Sequence, residues 1–339
     1  MKKPALKALA IVASLWHIAV PAAQTLHLPT PSTSLLQPGG ETRFYAPTPG
    51  RDWISGTYGC VRSEGHQFHE GIDILRLNTD RRGEPTDLVT AIDKGIVEYV
   101  NTVAGRSNYG RYVVLRHHVE GVAVYSLYAH LSSLAEGLRA GSPVAPRQIL
   151  GVMGRSTNTR TPIDRGRAHL HLEIALKGNE HFDHWFQATY KGSVNEHGNW
   201  NGRNLLGIDP TEIFRRQQID GARFSLLNLI RNQKEMFRVL IPRADFSYAS
   251  SYRPLMRRNP VAEKEGIVAV ELLFNFAGLP FQMIPRARSE IEIGRDYRIL
   301  SVDEEYARAR SCRGLIRQSG GAWQLTRSGR SLLDLITYR

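Results

Sequence analysis

From residue 53 to about residue 214 the chain is a series of short apolar runs, rich in β-branched and aromatic residues and broken by glycine. Gly95-Ile96-Val97-Glu98-Tyr99-Val100 and Arg111-Tyr112-Val113-Val114-Leu115 set the pattern, and residues 122–128, 148–153 and 168–176 repeat it. Side chains of this kind suit a pleated surface, and glycine between the runs supplies turns. The pattern predicts a mainly β fold built on an antiparallel sheet. Residues 178–207 interrupt it with a polar, aromatic-rich insertion, too long for an ordinary connection and therefore a candidate binding loop.

With 339 residues the chain has room for two domains. Residues 53–216 are the first. Residues 221–339 read as a second, an α+β extension: apolar residues have helical spacing over 224–240, strand-like runs cover 267–276, 290–299 and 315–325, and Gly320-Gly321 marks a hairpin. This extension carries 20 basic and 12 acidic residues, 18 of the basic ones arginine, and no recognisable functional motif. Residues 24–52, rich in Pro, Thr, Ser and Gly, read as a linker or pro-segment outside the core, with an inhibitory role left open.

At the N-terminus, Lys2, Lys3 and Lys7 precede a short apolar run over residues 8–20 and the small residues of Val20-Pro21-Ala22-Ala23. That is the layout of a secretory signal peptide, residues 1–23, and predicts an exported protein, periplasmic or secreted. No later apolar stretch approaches roughly 20 residues, so no membrane span is expected in the mature protein. Without the three signal lysines, 41 basic residues face 32 acidic ones. In an exported protein such a balance suits an anionic polymer such as the cell wall, with nucleic acid a poorer match. Cys60 and Cys312 are the two cysteines; an oxidising compartment permits their pairing, which sequence alone does not decide.

The informative motifs are His69-Glu70-Gly71-Ile72-Asp73 and His169-Leu170-His171. Strand periodicity puts His169 and His171 on one face and Leu170 and Leu172 on the other. Alone, a His-x-His pair in a strand is weak. Joined to the upstream His-x-x-x-Asp, it offers two imidazoles and a carboxylate, a three-ligand zinc set that leaves a fourth position open for catalysis. His130, in Tyr128-Ala129-His130-Leu131, is the candidate for handling protons.

These motifs resemble those of the LytM-type, lysostaphin-like M23 zinc metallopeptidases, over residues 54–214. Ser55-Gly56-Thr57-Tyr58-Gly59 with Arg62 looks like the family's opening segment, and His69-Glu70-Gly71-Ile72-Asp73-Ile74 matches its first metal motif. Thr90-Ala91-Ile92-Asp93-Lys94-Gly95, Leu127-Tyr128-Ala129-His130-Leu131, residues 138–154, His169-Leu170-His171-Leu172-Glu173 and Gly207-Ile208-Asp209-Pro210 follow in family order. The resemblance implies a grooved sheet, a zinc ion on His69, Asp73 and His171, and His130 and His169 as catalytic histidines. The expected activity is zinc-dependent hydrolysis of peptide crosslinks or stem peptides in peptidoglycan. An exported protease or anti-competitor toxin with other substrates is the alternative, and a non-catalytic regulator a more distant one. One departure stands out. Gly154-Arg155-Ser156-Thr157 is followed by an extended stretch to Arg167, with Ala168 where proline is common, and this loop should border the groove.

The remaining histidines read as bystanders. His66 is off the matching position, His117 and His118 follow a strand as solvated turn residues, and His181, His184 and His197 belong to a surface loop. Phe182, Trp185, Phe186, Tyr190 and Trp200 either line a groove wall or pack the insertion down. For the extension, wall binding, regulation and a purely structural role remain open. The bond cut and the oligomeric state are not legible in the sequence.

Overall fold

The computed structural model describes residues 25–292 and 294–339; the expected signal, residues 1–23, lies outside them. The peptidase-like part is antiparallel β, as the glycine-punctuated runs predict. Its main sheet runs in the order Leu205–Ile208, His169–Lys177, Val122–Leu131, Arg111–Val119, Gly95–Asn101, Pro143–Val144, and Ile72–Leu75 also pairs with His169–Lys177. A smaller sheet joins Leu88–Thr90, Ile149–Val152 and Ser133–Leu134. Ile72, Ile74, Val113, Leu115, Leu170 and Leu172 are fully buried in the core. Each such side chain contributes about 1.5–3 kcal/mol of transfer free energy.

Glu120 and Gly121, with φ of 50° and 82°, close the hairpin between Arg111–Val119 and Val122–Leu131. Both central residues have positive φ, the turn that matches strand twist. The strand therefore continues past the histidine pair, and His117, expected as a solvated turn residue, is only 1% exposed. Its ring is held between the Lys94 carbonyl at 2.8 Å and the Ser126 hydroxyl at 2.7 Å.

Residues 25–52 depart from the expectation of a linker outside the core. Leu26, Leu35, Phe44 and Tyr45 are buried in the main cluster. The Leu26 backbone exchanges two hydrogen bonds with the Gln217 side chain, both 2.7 Å, and Tyr45 forms an isolated bridge to Ile74. Proline and glycine break regular elements here, yet widely spaced apolar side chains still reach the core.

The extension is α+β. Its sheet runs Pro280–Arg286, Ala269–Phe274, Phe237–Ile241, Arg298–Val302, all antiparallel, flanked by a hairpin of Ile316–Ser319 and Ala322–Leu325 and by the terminal helix Arg327–Thr337. Residues 224–240, expected as helical, form only the short helix Leu226–Arg231 before the Phe237–Ile241 strand. In the run 290–299, expected as a strand, the strand begins only at Arg298. The extension packs directly on the first domain. Phe276 meets the rings of Tyr58 and Phe68, Tyr252 accepts a hydrogen bond from the Lys177 backbone at 2.7 Å, and one apolar cluster spans both parts.

Cys60 and Cys312 are disulfide-bonded, with Cα atoms 5.6 Å apart and a sequence separation of 252. Closing so long a loop restricts the unfolded chain, and losing such a bridge costs about 2–5 kcal/mol. Replacing both cysteines with serine is expected to lower the melting temperature by several degrees in calorimetry. An unchanged transition would mean that packing alone fixes the two parts.

Candidate metal centre and groove

Asp73 and His171 are direct cross-strand partners, and Ala129 faces His171 from the other side. His69 ends the strand Gln67–His69 and reaches the same spot through the Glu70-Gly71 turn. A Cβ on Gly71 would lie 2.2 Å from the Leu172 carbonyl oxygen, so only glycine lets the turn pass this close to the ladder. One ligand atom from each of His69, Asp73 and His171 falls within 4.8 Å of the others, and all three residues are buried. Asp73 Oδ1 is 3.0 Å from His171 Nδ1 and 3.2 Å from His69 Nε2.

The far nitrogen of each ring fixes which lone pair is free. His69 Nδ1–H donates to the Thr57 carbonyl at 2.7 Å, and its Nε2 lone pair accepts from Arg62 at 2.9 Å. A guanidinium has only hydrogens to offer, so both contacts agree on this tautomer. His171 Nε2–H donates to Glu173 at 3.0 Å, which turns Nδ1 toward Asp73. Glu173 also accepts from the Tyr109 hydroxyl at 2.6 Å.

Electrostatics in the cluster are steep. Burial opposes ionisation of Asp73, but its histidine neighbours, His169 and His69 foremost, and the hydrogen bond from His171 outweigh it and hold the carboxyl well below its usual range. Burial also disfavours a charged His171, yet hydrogen bonds to Asp73 and Glu173 push its pKa up to about 9. A ring flanked by two carboxylates sits where a positive charge is wanted. The donor set, two imidazole nitrogens and one carboxylate with a carboxylate supporting one imidazole from behind, suits zinc.

His130 and His169 stand beside this set, their ring centroids 4.9 Å apart. Arg167 supplies the carbonyl that takes His169 Nδ1–H at 2.6 Å, leaving Nε2 3.4 Å from Asp73 Oδ2. His130 Nδ1–H donates to the Ser156 carbonyl at 2.9 Å. Burial first, then the neighbouring His169 and His171, drive the His130 pKa well below its ordinary value, and burial lowers that of His169. Burial thus favours the neutral form of both rings, and with Nδ1 occupied each presents Nε2 to the site. His130 has φ of 62°, a left-handed conformation uncommon outside glycine, at an irregularity in the ladder to Arg111–Val119. Gly154 allows the close approach behind it, since a Cβ there would fall 2.4 Å from the Ser132 nitrogen.

All five predicted site residues therefore come together. Sequence reasoning did not assign roles to Arg62, which donates to Asp73 Oδ2 at 2.5 Å, or to Glu173 and Tyr109. A carboxylate two residues after His171 on the same strand face was the available signal for Glu173. His66, exposed and outside the cluster, plays no part. His197, read as a surface-loop residue, instead bridges the Tyr99 hydroxyl and the Arg106 carbonyl, both 2.9 Å away, at the groove edge. The aromatics of the insertion do both things foreseen for them. Phe182, Trp185 and Phe186 pack with Leu335, and Trp185 and Tyr190 also line the groove.

The loop that departs from the family pattern borders the groove with Thr157, Asn158 and Ile163. Glu84 pins it, receiving two hydrogen bonds from Arg155, both 2.9 Å, and one from Arg165 at 2.8 Å. Those arginines lower the Glu84 pKa from its ordinary value to about 2. A depressed folded pKa means the support is complete above the unfolded value near 4.5 and fades as pH falls through about 2. Glu84→Gln is expected to speed amide exchange across residues 155–165 several-fold at neutral pH, with metal content unchanged. The wild type should approach the variant on acidification, and identical exchange at neutral pH would count against the clamp.

The buried His-Asp-His cluster, with two further histidines beside it on an antiparallel sheet, could hold a metal ion. Residues 67–183, about a third of the chain, match the model of peptidase family M23. No curated protein matches the chain. Among solved structures, Helicobacter pylori Csd3 is similar at 24% identity over 45% of this chain and 32% of that one, with a TM-score of 0.28. A putative glycyl-glycine endopeptidase LytM from Ruminococcus gnavus is 29% identical over 32% of this chain and 40% of its own, with a TM-score of 0.24. The catalytic domain of the antimicrobial peptidase lysostaphin from Staphylococcus simulans is 24% identical over 35% of this chain and 74% of that one, with a TM-score of 0.25. The match thus spans about a third of Csd3 and two fifths of LytM.

Proposed function

We propose that this peptidase is an exported zinc endopeptidase that hydrolyses peptide crosslinks or stem peptides of bacterial peptidoglycan. The observation that carries the reading is the convergence of His69, Asp73 and His171 within 4.8 Å, with the neutral rings of His130 and His169 alongside. The three ligands would hold zinc, which supplies Lewis-acid polarisation and makes water easier to deprotonate. Asp73 stays anionic across the working pH range, and Glu173 keeps His171 turned with Nδ1 toward the site. His130 and His169, each fixed by a backbone carbonyl on Nδ1, offer Nε2 to accept a proton from attacking water and return it to the leaving amine. Protonated, either ring can also donate to the oxyanion.

Export is supported by the signal-like N-terminus and by a disulfide of the kind that persists in oxidising compartments. The anionic wall matches the basic body. Digestion of purified peptidoglycan, with products read by mass, tests the reading. New paired amine and carboxyl ends at one peptide linkage are expected and would name the bond; an intact wall beside cleavage of an unrelated protein would redirect the enzyme to other substrates.

A further inference from the structure

The groove, about 1500 Å³, does not end with the first domain. It runs from the His69–Asp73–His171 cluster to a facing surface formed by the extension, where Arg313, Arg327, Ser328 and Ser331 line it. We propose that the extension is the second wall of the substrate groove, and that Arg313 and Arg327 on it receive a free carboxylate of the peptide substrate. The proposal rests on the peptidoglycan reading and deepens it, since wall peptides carry unblocked carboxyl groups close to their crosslinks.

Charge balance favours an anionic occupant. Six arginines and three carboxylates line the groove, and one of those carboxylates, Asp73, already faces Arg62, Arg167 and three histidines. Many arginines of the extension are neutralised in place: Arg238 and Arg286 by Glu271, Arg308 by Glu304, Arg330 by Asp296. Among the described residues, Arg313 and Arg327 have no such carboxylate partner. Arg313 Nε is buried without a hydrogen-bond acceptor. An arginine fork left open toward a groove is matched by a carboxylate, which takes two parallel N–H donors.

Placement is rigid. The Arg313 guanidinium lies 4.9 Å from the centre of the Phe68 ring, and Phe68 immediately precedes the ligand His69. Cys312, next to Arg313, is bonded to Cys60, which pairs with Phe68 across the hairpin of Gly59–Arg62 and Gln67–His69. The disulfide thus ties the second wall to the strand that carries a metal ligand. Arg327 opens the terminal helix, whose Leu332, Leu333 and Ile336 are buried in the shared core, so this part of the wall is also held by packing. Substrate lying between the two walls would present its scissile bond to the histidines and a carboxylate to the arginines.

The test compares the full chain with Arg327→Gln, Arg327→Lys and Arg313→Gln on a soluble stem-peptide dimer and on the same dimer with its free carboxylates converted to carboxamides. The wild type is expected to cleave the acid form about 10–100-fold more efficiently, the range of a lost charge-assisted pair. Arg327→Gln, at an exposed position, should lose a similar factor on the acid form, mainly through KM, and under about threefold on the carboxamide, while Arg327→Lys should recover part of the loss. Equal wild-type rates on both forms, or equal losses on both in the variants, would overturn the carboxylate subsite and leave the peptidoglycan reading standing. Cleavage of neither form by the wild type would overturn both.

Discussion

His171→Ala is expected to leave a protein that retains no stoichiometric zinc and has no measurable peptidase activity. The ring touches both Asp73, at 3.0 Å from Nδ1, and Glu173, at 3.0 Å from Nε2. Its loss removes one ligand of three and takes a shared partner from two buried carboxylates, leaving Asp73 with Arg62 and His69 and Glu173 with Tyr109. Losing one of several partners of a buried charge should also lower the melting temperature, by less than the loss of a sole partner would. Asp73→Asn is the companion variant: it keeps the shape of the cluster while removing its anionic ligand, and should also fail to hold metal. Metal content by mass spectrometry of the native protein, read beside activity, separates the two effects. A His171→Ala protein with full zinc and full turnover would remove this residue from the centre.

His130→Asn should behave differently. Zinc stays bound, because His130 is outside the ligand set, while turnover falls by about 10²–10⁴, the range for a lost general acid–base group. Asparagine is chosen because the position has φ of 62°, which asparagine tolerates better than most residues. His130→Ala would add a local backbone cost of about 1–3 kcal/mol to the chemical one. Comparing the melting temperatures of the two variants therefore separates strain from catalysis. Loss of zinc in His130→Asn would show that this ring belongs to the metal site.

The His-Asp-His cluster was legible because its members lie in short motifs with fixed spacing, His69 to Asp73 and His169 to His171, and strand periodicity alone puts the latter pair on one face. Choosing His171 over His169 as the candidate ligand came from the resemblance and was not legible from periodicity. It depends on register: His171, not His169, is paired with Asp73. The left-handed turn at His130 was hidden because histidine gives no warning of it, unlike the glycine at Gly154 behind the same residue. His117 was misplaced because the hairpin reverses at Glu120-Gly121, one step beyond where the polar pair seemed to end the strand.

Longer-range features were harder still. Residues 25–52 carry a composition that argues against long helices and strands, and they hold only short ones such as Glu41–Phe44, but it says nothing about whether Phe44 and Tyr45 find a core. The cysteine pair is the same kind of case, since bridging needs Cα atoms brought to 5.6 Å across 252 residues. For the extension, alternation located the hairpin at Gly320-Gly321, whose φ values of 60° and 78° fit the turn, but no local pattern announces that Arg313 and Arg327 face a groove built by another part of the chain.

The most direct measurement is a zinc titration of chelator-stripped protein, with bound metal and new amine ends from peptidoglycan counted in the same samples. The structure predicts activity that rises in proportion to metal and saturates at about one ion per chain, the capacity of one His-Asp-His site. Full activity in the stripped protein, or saturation with metal and no new amine ends on wall or peptide substrates, would contradict it.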